Sequence, residues 1–250
     1  MRKSMFQLFN ESVTNNYDKF IKKYEDSGEF DDDQMNQIKW GFRDGLTPEQ
    51  VSIYAKPKYD ASQMSRIRIG FRHGLTPEQI KPEFNDMQME EIREGYKDGL
   101  TPEQVDVYAK PEFDYQQMEQ IRWAFGDGLT LEQVMVFAKP EFDWDKMHCI
   151  RFAILWKYPA EIIDMCANPI FDYKQTYQIF DGFKNGLTLK QVKVYAKPEF
   201  DAFQMFYIWW GMYEGLTMEQ VLAYAKPEYD DNQMKQMMKD SLKKYLNKGF

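Results

Sequence analysis

Three features of the sequence predict an all-α fold, arranged as a right-handed α-solenoid of about seven helix-turn-helix repeats with N- and C-terminal capping helices. The first is a returning phrase, Leu-Thr-Pro-Glu-Gln-Val or a close variant, at Leu46–Val51, Leu75–Ile80, Leu100–Val105, Leu129–Val134, Leu187–Val192 and Leu216–Val221. The glycines before it (Gly45, Gly74, Gly99, Gly128, Gly186, Gly215) are spaced by 29, 25, 29, 58 and 29 residues, so the double step holds a unit whose phrase has decayed. A fixed period of this length is the mark of a repeat array, which grows by adding units rather than by enlarging one core. The second feature is a helix-start residue recurring at Asp31, Asp60, Asn85, Asp114, Asp143, Asp172, Asp201 and Asp230. The third is apolar residues three, four and seven apart after each start, as in Met35, Ile38, Phe42 and Met118, Ile121, Phe125. That spacing describes one face of a helix.

The spacing predicts residues 1–29 as an N-terminal helical cap, 30–229 as the array, and 230–250 as a C-terminal capping helix. Units start near residues 30, 59, 84, 113, 142, 171 and 200. The N-terminal segment places Phe6, Leu8, Phe9, Tyr17, Phe20, Ile21 and Tyr24 at roughly helical spacing without the repeat grammar. Each unit then opens with a longer helix A. In Tyr59-Asp60-Ala61-Ser62-Gln63-Met64, Asp60 caps, Gln63 completes a capping box, and Tyr59 with Met64 forms a hydrophobic staple. Helix A is expected to end at about Arg72 or His73, before Gly74 in the left-handed conformation of a C-terminal cap.

Helix B follows the same rules. Thr101 caps, Pro102 takes the first helical position, Gln104 stands at the third, and Leu100 and Val105 form the staple. It is expected to end near Ala109-Lys110, because Pro111 disfavours helical geometry before it. Counting the capping residue of helix A as zero, position N10 is small in seven copies (Gly41, Gly70, Gly95, Ala124, Ala153, Gly182, Gly211). A helical Gly costs roughly 1 kcal/mol against Ala, so a close approach by another helix is the expected compensation.

Two units depart from the rule. In Gln79-Ile80-Lys81-Pro82 four residues are missing, so helix B of that unit is expected to shrink to about one turn. In Lys157-Tyr158-Pro159-Ala160 both the cap Gly and the Thr are lost, beside a helix carrying Trp144, His148, Cys149 and Trp156. The last helix turns polar and basic with Lys235, Lys239, Lys243 and Lys244, as suits a terminal unit with a solvated face.

Composition narrows the class. Of 250 residues, 43% are hydrophobic and 16% aromatic, which excludes a disordered chain. No apolar run reaches the roughly 18–20 residues that span a bilayer, and Met1–Phe6 has no apolar stretch behind its basic residues. With two cysteines, Cys149 and Cys166, a disulfide framework is not expected. A soluble cytoplasmic protein is the expectation. The net charge of −8 has a local origin, because acids sit at helix starts where the macrodipole favours them.

No phosphate loop, nucleophile elbow or metal-binding spacing is present in the sequence, and neither catalysis, a cofactor nor a metal is expected. His73 takes a helix-end slot filled by Asp44, Asp98 and Asp127 elsewhere. His148 and Cys149 are helix neighbours that do not face one another. Cys166 replaces the Tyr of helix B and reads as a small core residue.

Positions N1, N5, N8 and N12 of helix A lie along one stripe. Its N8 and N12 slots begin basic, with Lys39 and Arg43, Arg68 and Arg72, Arg93 and Lys97, then Arg122 and Arg151. Towards the C-terminus it turns aromatic, with Tyr115, Trp144, Tyr173, Tyr177, Phe180, Phe206, Trp209 and Tyr213. Either these side chains pack on the neighbouring unit, or they form a continuous recognition ridge, since Trp, Tyr and Arg are enriched at binding hot spots. The run Phe203, Phe206, Tyr207, Trp209, Trp210 and Tyr213 is apolar on too many faces for one buried stripe, so part of it is expected at the surface.

The paired-helix architecture resembles tetratricopeptide-like helical repeats, although the 29-residue unit is shorter and lacks their pattern. Lys-Pro-Glu-Phe-Asp combined with Gly-Leu-Thr-Pro-Glu-Gln-Val is similar to tandem repeats in uncharacterised proteins of bacteria and their mobile elements. The repeat grammar and the ridge lead to a non-enzymatic protein-binding solenoid. With the resemblance, its most concrete form is a phage or mobile-element inhibitor that blocks a host defence or nucleic-acid-processing protein, acting in the host cytoplasm. The alternatives are a single-stranded nucleic-acid binder using the Arg and aromatic residues, against which the net charge counts, and a bacterial scaffold or adaptor.

Overall fold

The computed structural model describes residues 17–72, 74–80 and 83–246. His73, Lys81, Pro82 and the N-terminal Phe6, Leu8 and Phe9 lie outside the described residues. Among the described residues there are fifteen helices and no strand. Residues 17–27 form α1. The longer helices are α2 (Asp32–Arg43), α4 (Ala61–Arg72), α5 (Asp86–Lys97), α7 (Tyr115–Gly126), α9 (Trp144–Leu155), α11 (Tyr173–Lys184), α13 (Ala202–Tyr213) and α15 (Asp231–Leu246). Between them stand the short helices α3 (Pro48–Tyr54), α6 (Pro102–Tyr108), α8 (Leu131–Met135), α10 (Ala160–Cys166), α12 (Leu189–Tyr195) and α14 (Met218–Leu222). The chain divides into two compact units, Met1–Met118 and Glu119–Phe250.

Local chemistry fixes the helix starts. At α2, Asp31 accepts from the Gln34 N–H at 2.8 Å while Gln34 Oε1 accepts from the Asp31 N–H at 2.9 Å. The same reciprocal box recurs with Thr at the short helices, as in Thr101 and Gln104 of α6. Each cap contributes about 1 kcal/mol. The Gln of the longer helices has a second task, because its Nε2 reaches the carbonyl before the next helix start. Gln34 donates to Tyr59 at 2.7 Å and Gln88 to Phe113 at 2.6 Å. Gln175 donates to Phe200 at 2.7 Å and Gln204 to Tyr229 at 2.6 Å. One side chain thus caps its own helix and ties it to the next unit.

The small N10 position answers to its own short helix. Tyr54, Tyr108, Tyr195 and Tyr224 lay their rings over Gly41, Gly95, Gly182 and Gly211, and a Cβ on any of those glycines would overlap the phenol hydroxyl. Each hydroxyl donates to the carbonyl at N6 of the longer helix, at 3.1 Å to Gln37, 3.2 Å to Glu91, 3.2 Å to Gln178 and 3.0 Å to Tyr207. Where N10 is Ala124 or Ala153, the partner is Phe137 or Cys166, which carries no hydroxyl there. Gly at N10 and Tyr on the short helix are therefore one device.

In the first compact unit, α1 packs Tyr17 and Phe20 on Phe42, with ring centroids 4.9 and 6.2 Å apart. α4 contacts α2, α3 and α5, and α5 contacts α6. The expected single-turn helix after Gly74 is a turn at residues 77–79. Ile80 covers Gly70 in place of the missing Tyr. Arg66 Nη1 donates to the Phe84 carbonyl at 2.8 Å, taking over the tie that Gln makes elsewhere.

In the second compact unit, α9 contacts α10 and α11, α11 contacts α12 and α13, and α13 contacts α14 and α15. The altered stretch at Lys157 keeps the turn that its sequence lacks. Lys157 adopts φ 56°, beside φ 92° at Gly186. The Tyr158 N–H still reaches the Ala153 carbonyl at 2.9 Å, as Leu187 reaches Gly182 at 3.1 Å. Pro159 supplies no side-chain cap. Trp156 and Tyr158 instead pack on α11, with rings 5.5 Å from Phe180 and 4.7 Å from Phe183. On α15, Met234 and Met238 are buried while Lys235, Lys239, Lys243 and Lys244 face solvent. No helix among the described residues is long and apolar enough to cross a membrane.

Candidate functional site: an aromatic groove across three helices

The expected ridge divides into two sets of residues with different surroundings. At Arg68, Arg151, Phe180 and Trp209, position N8 is set against the preceding long helix or its end. Arg68 Nε donates to Gln37 Oε1 at 3.2 Å, and its guanidinium pairs with Asp44 and lies 5.6 Å from the Trp40 ring centre. Arg151 repeats this with Asp127 at 2.9 Å and Trp123 at 5.4 Å. Trp209 fills the slot of Arg68, and its indole N–H donates to Gln178 Oε1 at 2.8 Å. Phe180 fills it with a ring against Trp156.

Several expected contact residues therefore have partners inside the fold. Trp209 is 2% exposed and Phe180 5%, so both are core residues. The Arg68 and Arg151 guanidiniums are held in ion pairs with this chain's own carboxylates. Arg93 likewise pairs with Glu90, and with Glu94 at 2.9 Å. Arg122 is half-buried; Arg72 and Tyr213 are exposed at the far ends of their helices. The physical reason is that N8 lies over N6 and the terminal Asp of the helix before it. A long polar or aromatic side chain there finds a partner within the fold.

The N1 and N5 residues have a different setting. In the second compact unit, α9, α11 and α13 bring their N-terminal halves side by side around a groove of about 600 Å³. From α9 come Trp144, Asp145, His148 and Cys149. α11 adds Tyr173, Lys174, Tyr177 and Gln178, and α13 adds Ala202, Phe203, Phe206 and Tyr207. Phe203 is 64% exposed and Tyr177 50%, while Trp144 and Tyr173 are each exposed by more than a third. Of the expected anchors, Trp144, Tyr173, Tyr177 and Phe206 thus meet in one place. Phe203 and Tyr207, from the run expected partly at the surface, join them, as do Asp145 and His148, which the sequence did not place there. Their signal is the N1, N2, N5, N6 quartet, which shares one helical face.

Burial sets the electrostatics. Asp145 titrates above the usual carboxylate range through desolvation, with Asp143 adding to the effect. His148 is held below its ordinary value by burial and by Arg151, and its ring lies 4.6 Å from Phe152 and 6.5 Å from Trp144. The Tyr177 phenol is raised chiefly by Asp181, one turn further along α11. Cys149, buried at the groove floor, is pushed up to about 12 by desolvation, which leaves a protonated thiol of low reactivity. Behind it Lys146 stands where other units have Gln. Its ammonium is buried and donates to the Asn168 and Phe171 carbonyls, both at 2.6 Å. No cluster of three metal-ligating side chains occurs among the described residues.

Comparison with protein-family models and with curated protein sequences finds no match.

Proposed function

We propose that this protein binds another protein, and that the groove of α9, α11 and α13 receives a segment of that partner. The observation that carries the reading is six aromatic side chains from three helices converging on one open groove of about 600 Å³. Solvent-exposed aromatic surface of this kind marks contact sites, and rings with few rotamers lose little entropy on binding. The groove coincides with the irregular fifth unit, which supplies Trp144 and His148, so the departure from the repeat has a use. In this reading the helix pairs follow one another as a right-handed α-solenoid of about seven units. Binding blocks the partner, as an inhibitor of a host defence or nucleic-acid-processing protein does.

Affinity capture from the native host, with wild type and with Tyr177→Glu/Phe203→Glu, tests the groove. Both residues are half or more exposed, so the fold tolerates the change. The wild type is expected to retain a partner that the groove variant loses, while Tyr213→Ala retains it. Equal retention by the groove variant overturns the assignment.

A further inference from the structure

The chain carries its own template for what the groove recognises. Twice, an arginine is held between the face of a tryptophan and a carboxylate: Arg68 between Trp40 and Asp44, and Arg151 between Trp123 and Asp127. Lysines lie over other rings at similar distances, as with Lys184 5.5 Å from the Trp156 ring centre and Lys235 5.9 Å from that of Tyr207. The groove presents the same two components, aromatic faces and a carboxylate, at Trp144, Tyr177 and Asp145.

We propose that the groove binds an arginine side chain of the partner protein, its guanidinium set against the rings of Trp144 and Tyr177 with Asp145 as counter-ion. This rests on the protein-binding reading and names the partner's chemistry. A planar guanidinium stacks on aromatic faces and offers a fork of donors that a carboxylate accepts pairwise. The site is apolar enough that a cation–π contact is stronger there than on open surface.

The charges around the site favour Asp145 as the anchor. Burial makes its charge costly, and Asp143 beside it makes the charge costlier, so an incoming cation relieves both. His148, also on the groove wall, is held below its ordinary value by burial and by Arg151, and its charge would lower the Asp145 carboxyl. Asp181 adds negative potential below Tyr177 but is partly satisfied by Lys184. Lys174 stands at the rim with its ammonium 5.7 Å from the Tyr173 ring centre.

The probe is a pair of peptides, acetyl-Leu-Arg-Leu-amide and its citrulline twin, which has nearly the shape of arginine without the charge. Each is titrated into the full chain while the Trp144 indole N–H is followed by NMR, assigned with Trp144→Phe. The arginine peptide is expected to shift that signal and to bind about fivefold or more tighter than the citrulline peptide, the scale of one desolvated cation–π contact with a charged hydrogen bond. Asp145→Asn is expected to reduce the difference to what the ring contact alone supplies; Lys174→Gln is expected to preserve or widen it.

Equal affinity of the two peptides, no shift by either at millimolar concentration, or an arginine preference undiminished by Asp145→Asn overturns the proposal. These outcomes are separate from the fate of the docking reading, which falls only if Tyr177→Glu/Phe203→Glu keeps the captured partner.

Discussion

Gly182→Ala places a methyl group where the Tyr195 hydroxyl already lies. The added Cβ overlaps Oη, stands 3.0 Å from Cζ, and comes within 3.5 Å of Trp209 Cγ. Tyr195 is fully buried, so its ring has no solvent to swing into. Helix propensity alone predicts that Ala stabilises by about 1 kcal/mol. Overpacking a rigid core costs about 1–3 kcal/mol, and displacing the hydroxyl from the Gln178 carbonyl costs about 1 kcal/mol more. The net expectation is a loss of roughly 1–3 kcal/mol. Tyr195→Phe alone loses its hydrogen bond, roughly 1 kcal/mol, because the Gln178 carbonyl keeps its helical partner. Together the two changes recreate the Ala124–Phe137 pair that the chain uses elsewhere. The double variant is then expected to be more stable than Gly182→Ala, with a coupling of about 1–2 kcal/mol in a double-mutant cycle. Urea denaturation followed by circular dichroism measures all four proteins. Additive effects, or a Gly182→Ala protein more stable than wild type, would refute the argument that Gly and Tyr form one device.

Lys157→Gly is expected to stabilise by about 1 kcal/mol, since a left-handed conformation burdens a side chain and not Gly; an unchanged melting temperature contradicts it. Arg151→Ala is expected to cost about 1–3 kcal/mol, chiefly through lost packing on Trp123, since Asp127 is partly exposed and can rehydrate, whereas Arg72→Ala, on the exposed helix end, is expected to change stability by less than about 0.5 kcal/mol. Denaturation of the two variants separates a structural N8 from an exposed N12. Stability is also expected to fall at alkaline pH. The Cys149 thiol stays protonated in the fold up to about 12 but ionises near its ordinary value of 9.0 in the unfolded chain. Its contribution is complete below pH 9 and is lost as pH climbs towards 12. Cys149→Ala is expected to flatten that decline, and melting curves between pH 7 and 10.5 measure it.

What the sequence made legible was local. Caps, staples and helix ends follow from residues within four positions of one another, and the structure has them in nearly every unit. Position N10 was legible in kind, as a point of close approach. That the visitor is the hydroxyl of the unit's own Tyr was not, because Gly182 and Tyr195 stand on different helices. The stripe misled for a similar reason. N1, N5, N8 and N12 share a line along a helix, but the neighbouring helix covers only part of it. Whether Trp209 or Tyr177 reaches solvent depends on where α11 crosses α13, which spacing along one helix does not set. The fifth unit shows the converse. The Gly and Thr are lost there, yet backbone bonding around Lys157 holds the turn without them.

The groove of α9, α11 and α13 is the surface on which the proposed binding depends. The most direct measurement is hydrogen exchange of the chain, free and with its captured partner, read at the N-terminal halves of those helices. Slower exchange at residues 144–149, 173–178 and 202–207 on binding, absent with Tyr177→Glu/Phe203→Glu, is the predicted result. Protection confined to α2, α4 and α5, with the groove exchanging as in the free chain, would contradict it.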